Sequence, residues 1–182
     1  MTIEMSSDTL AERGIVRARW NEPFLRDLLA EALDTARGGG DWHALLYSAS
    51  TAHDDSDLEG APLAGLDLAG IDLSGARLVH ADLRGTNLSN AVMRDAQFQW
   101  ADFTGAVLTD AAFASCGMAC ATLRDVRARN ARFDRVTLTA ADLRGGDFAG
   151  AEFVDCPTAR AAIDPDTLIR ATFVNTQPAD PR

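Results

Sequence analysis

A five-residue periodicity in the middle of the chain constrains the fold more than any other feature of the sequence. From Ser56 to Asp155 the chain divides into consecutive blocks of five residues in one register, without an insertion. The third position is Leu, Phe or Met in every block except the one that carries Ala128, and the first position is most often Ala. Asp or Asn recurs at the second position and Gly at the fifth. Such self-similarity indicates a repeat protein whose units stack on one another.

Neither a helix nor a long strand accommodates a period of five. In an α-helix of 3.6 residues per turn each repeat advances by about 140°, so the apolar residues would spiral around the whole surface. In a strand, positions one and three of a block point to the same side. Three further residues must then return the chain inward, and Gly at the fifth position tolerates the turn conformations that this requires. The period therefore predicts short strands joined by corners around an apolar interior.

Several blocks resemble the repeat of a known family. Ala81–Gly85, Ala101–Gly105 and Ala141–Gly145 follow the pattern Ala-Asp/Asn-Leu-x-x of the pentapeptide-repeat family, with Phe103 in place of Leu in the second of them. The resemblance covers more than half of the chain. It implies an all-β solenoid, a right-handed quadrilateral parallel β-helix with four blocks per coil and the first and third positions inside. The blocks then make five coils with a partial sixth, about 24 Å tall at ~4.8 Å per coil.

We expect the third-position residues to form a core ladder inside this solenoid. The ladder comprises Leu58, Leu63, Leu68, Leu73, Leu78, Leu83, Leu88, Met93, Phe98, Phe103, Leu108, Phe113, Met118, Leu123, Phe133, Leu138, Leu143, Phe148 and Phe153.

The two ends of the chain depart from the repeat, and we predict three segments. Residues 1–55 form a helical N-terminal cap and linker, 56–155 the solenoid, and 156–182 a partial last coil, C-terminal cap and loose tail. A helix is predicted to start near Pro23 and to end at Gly38, with others over residues 10–20 and within 41–48. These helices either cap the first coil or form a separate partner-binding module. Near Asp164 we expect a helical turn.

The charge balance bears on the class of partner. The formal net charge is -10, which argues against direct binding to nucleic acid or to an anionic membrane. No apolar run approaches the ~20 residues of a membrane span, and the first residues carry no secretory signal. We therefore expect a cytoplasmic protein.

No set of residues in the sequence forms a catalytic or metal-binding motif. His43, His53 and His80 fall on different elements, and neither a nucleophile elbow nor metal-ligand spacing is present,. The Asp residues at the second positions are expected to bond to the backbone at the turns. Cys116 and Cys156 point inward two coils apart, about 10 Å, which is too far for a disulfide. We expect no cofactor, no metal and no enzymatic activity.

One face of the solenoid is predicted to be nearly uncharged. With four blocks per coil, the blocks that begin at residues 76, 96, 116 and 136 share a face, on which Arg77 is the one charged residue between Glu59 and Arg160. A strip of this kind, centred on Trp100, is expected to be covered: by the N-terminal helices, by a second copy in a homodimer, or by a protein partner with Trp100 as the anchor. The Trp100 strip comprises Val79, His80, Gln99, Trp100, Ala119, Cys120, Thr139 and Ala140.

Three functions are compatible with this reading. The first is a non-enzymatic protein-interaction or scaffold module. The second is DNA mimicry directed at DNA gyrase, and it follows from the resemblance alone, because well-understood family members mimic DNA, bind DNA gyrase and protect it from quinolones or toxins. The third is a spacer or assembly element. Duplex DNA carries ~14 charges over ~24 Å, whereas Ser56–Asp155 holds 14 acidic residues and 9 Arg, a net of -5. The charge count thus favours the first hypothesis.

Overall fold

The chain winds into a parallel β-solenoid whose coils are twenty residues long. The computed structural model describes residues 19–21, 23–41 and 58–177. On one face, five short strands form a parallel sheet in chain order, and each residue pairs with the one twenty positions later, as Phe113 does with Phe133. The strands are β1 (Val92–Arg94), β2 (Ala112–Ala114), β3 (Arg132–Asp134), β4 (Glu152–Val154) and β5 (Thr172–Val174).

The other three faces are joined by single paired residues in the same register. Asp82 pairs with Asp102, Asn87 with Val107, and Gln97 with Gly117. Neighbouring coils are bonded in both directions: the Leu83 N–H donates to the Asp102 carbonyl at 2.8 Å, and the Asp102 N–H donates back to the Ala81 carbonyl at 3.0 Å. The right-handed quadrilateral β-helix with four blocks per coil is confirmed.

The interior is a continuous stack of apolar side chains. Every residue of the predicted core ladder is at most 1% exposed. The rings of Phe113, Phe133, Phe153 and Phe173 stack nearly parallel, with centroid separations of 5.0, 4.7 and 4.9 Å. Phe is among the largest apolar side chains, and this phenylalanine column extends through the last four coils.

The corners of the solenoid fall at the fifth position of each block, in the left-handed region of φ. Gly65 has a φ of 71° there, but Trp100 and Arg135 adopt the same conformation at 62° and 53°. A non-glycine residue pays an energetic penalty for this conformation. Glycine is thus favoured at the corners without being obligatory.

The N-terminal cap lies on the first coil. After a short 3-10 helix, Arg19–Asn21, helix α1 spans Pro23–Arg37 and ends before Gly38 as predicted. Its buried face packs into the same core as Leu58 and Leu63; the residues of that face are Leu29, Ala32, Leu33 and Ala36. The helix predicted over residues 10–20 lies outside the described residues except for its last two, and that within 41–48 lies outside them except for Asp41.

The C-terminal part continues the winding for a sixth coil. The predicted turn near Asp164 is helix α2, Pro165–Arg170, which replaces one block of the repeat before β5 completes the next face. Residues 178–182, predicted as a tail, lie outside the described residues. The division into three segments stays a prediction.

Candidate functional site

The Trp100 strip is a column of corner and face residues stacked coil upon coil. His80, Trp100, Cys120 and Ala140 occupy successive corners, with φ between 58° and 62°. The His80 and Trp100 rings stack with centroids 6.3 Å apart and planes 23° apart. The twenty-residue coil thus aligns these side chains along one edge of the face.

Exposure along the strip is uneven. Val79, Gln99, Ala119 and Thr139 are half-buried, as are Trp100, Cys120 and Ala140 at the corners. His80 was expected to face outward with them, but it is only 6% exposed, with its ring against that of Trp100. A binding partner would therefore meet Trp100 and the coils above it rather than His80.

On the blocks that form this face, charged residues lie at the two ends. At its base Arg77 donates to the Glu59 carboxylate, and the next charged side chain of this face is the exposed Arg160, four coils above Arg77. Each of the remaining faces carries both acidic residues and Arg between the third and the fifth coil. The three blocks of this face between Arg77 and Arg160 carry no charged residue.

The N-terminal cap reaches the base of this face. Trp20 is 3% exposed, and its indole N–H donates to the Glu59 carbonyl at 2.9 Å. On the far side of the first coil, Arg37 donates to the Asp67 carbonyl at 2.8 Å. The described part of the N-terminal segment therefore reaches this face at its lowest coil, whereas Trp100 lies two coils higher.

Gln99 makes a contact within the strip that the sequence pattern did not reveal. A Cβ on Gly117 would lie 2.5 Å from the Gln99 amide nitrogen, so the amide packs directly over the Gly117 backbone. Its Oε1 is buried without a hydrogen-bond partner in the described part of the chain. Gly117 stands at a second position, where Asp or Asn recurs, and this difference was the available sequence signal for the contact with Gln99.

The three cysteines are unpaired, and burial suppresses their reactivity. The Cys116 thiol donates to the Met93 carbonyl at 3.2 Å, and the Cys156 thiol to that of Phe133 at 3.4 Å. Burial raises the pKa of Cys116 to about 11 and also raises the pKa of Cys120. The thiols are protonated at neutral pH, so they are poor nucleophiles and poor metal ligands.

The second-position carboxylates have structural partners. Asp102 accepts the backbone N–H of Thr104 at 3.0 Å, and Asp142 accepts that of Arg144 at 3.2 Å. These are the turn contacts expected from the sequence. Within the described ranges no group of three or more His, Cys, Asp or Glu side chains is arranged to hold a metal ion.

Ion pairs connect a basic coil to the acidic coil above it. Arg124 pairs with Asp142 at 3.3 Å, Arg129 with Asp147 at 2.6 Å, and Arg132 with Glu152 at 2.7 Å. The hydrogen bond from Arg129 lowers the pKa of Asp147. The acidic residues of these faces are therefore largely neutralised by arginine within one coil.

Comparison with known proteins identifies the family. The model for pentapeptide repeats matches residues 54–90, 71–110 and 116–155, with eight copies of the repeat. The chain belongs to the pentapeptide repeat family. No curated protein matches it.

Solved structures of similar proteins include one whose fold matches over most of its length. A pentapeptide repeat protein from the thylakoid lumen of Arabidopsis thaliana is 25% identical, with a TM-score of 0.55 over 68% of this chain and 82% of that one. QnrB1, a plasmid-mediated fluoroquinolone resistance protein, is 18% identical with a TM-score of 0.31 over 65% of this chain and 84% of its own. A pentapeptide repeat protein from Nostoc is 21% identical with a TM-score of 0.30 over 72% and 92%. In this pentapeptide repeat protein, no helix among the described residues is long and apolar enough to cross a membrane.

Proposed function

We propose that this pentapeptide repeat protein is a non-enzymatic protein-interaction module and that the Trp100 strip is its contact surface. The observation that carries the proposal is a half-buried Trp at a corner where glycine is favoured, on the one face without charged residues over three coils. Large aromatic side chains in such surroundings are the usual anchors of protein interfaces. On two of the other faces, Asp142 and Asp147 are already paired with arginine.

The absence of chemical activity is part of this proposal. The Asp102 carboxylate is bonded at a turn, that of Glu152 is in an ion pair with Arg132, and the thiols of Cys116 and Cys156 are buried. A catalytic site needs groups that converge on one reacting position, whereas these side chains point away from one another around the solenoid. Three unpaired thiols also fit a reducing compartment such as the cytoplasm.

Mimicry of DNA for gyrase binding is not favoured over this reading. A mimic would need a continuous series of unpaired negative charges, but the arginines of the fourth coil neutralise the carboxylates of the fifth. The similarity to QnrB1 concerns the fold alone. Titration of the purified protein into a gyrase supercoiling assay, with and without a quinolone, is expected to leave the activity unchanged.

Site-specific photo-crosslinking in cells tests the proposed surface. Benzoylphenylalanine placed at Thr139 is expected to cross-link a protein, whereas the same group at Ala149 is not. Ala149 is the matched control because it lies at the same block position of the same coil on another face. The adduct should disappear in Trp100→Gly, which removes the anchor while keeping a residue that suits a φ of 62°. Equal adducts from both positions, or none from Thr139, would refute the strip as the contact surface.

A further inference from the structure

We draw no further inference here: the strongest candidate, the uncharged surface patch of the Trp100 strip on the face of the solenoid above Arg77, carries nothing beyond the proposed function, because nothing in the described part of the structure shows what covers it.

Discussion

At the scale of the residue, the corners of the solenoid determine which substitutions stabilise it. Ala140 sits at a corner with a φ of 58°, a conformation that costs an L-residue roughly 1–2 kcal/mol and glycine little. Glycine loses about 0.5–1 kcal/mol more backbone entropy on folding. We expect Ala140→Gly to raise the free energy of unfolding by about 0.5–1 kcal/mol in urea denaturation. Ala149→Gly, outside the left-handed region, is expected to lower it by a similar amount; the same sign for both would contradict the argument.

The residue scale also shows where sequence reasoning stops. The five-residue pattern predicted that first positions point inward, but it treats Thr, Cys and Ala alike as small residues. In the structure the buried Thr86 hydroxyl donates to the Leu63 carbonyl at 2.7 Å, and Cys116 bonds likewise to Met93, each reaching 23 residues back. The burial of His80 was missed for a related reason. The hydrogen bonds of Thr86 and Cys116 and the burial of His80 all depend on the rotamers of stacked neighbours, which a one-dimensional pattern does not contain.

At the scale of the element, helix α1 decides the stability of the first coil. A solenoid is stabilised mainly by contacts between neighbouring units, so loss of the cap should affect the nearest coil first. Leu33 lies on the buried face of α1 and is 4% exposed. Leu33→Ala is expected to lower the free energy of unfolding by about 2–4 kcal/mol. Hydrogen exchange should then accelerate at the amides of Leu58 and Leu63 before those of the phenylalanine column. Glu31→Ala on the exposed face of α1 is the control, and uniform acceleration along the chain would refute local capping.

The bounds of α1 and the coil register were the features most predictable from the sequence. The start of α1 at Pro23 and its end before Gly38 follow from local signals that need no tertiary information,. The coil register follows from counting blocks, because no insertion interrupts them. The Trp100 strip could be aligned in the same way, whereas the contact of the N-terminal cap with the base of this face depends on Trp20 and Glu59, 39 residues apart.

At the scale of the whole molecule, charge is arranged in alternating coils, so stability should depend on pH through pairs between coils. The Arg129 hydrogen bond lowers the pKa of Asp147 relative to the unfolded chain. A carboxyl with a lowered pKa contributes stability that is present above its unfolded value of ~3.9 and is lost as pH falls through the folded value. Asp147→Asn should therefore destabilise the protein at pH 7 by less than about 1 kcal/mol, because the pair is near the surface, and the difference from wild type should vanish towards pH 2. Urea denaturation from pH 7 to 2 measures this difference, with the exposed Asp155→Asn as the comparison. A difference between Asp147→Asn and wild type that is independent of pH would mean that the ion pairs between coils do not stabilise the solenoid, and that the packed core ladder and the backbone hydrogen bonds hold one coil on the next.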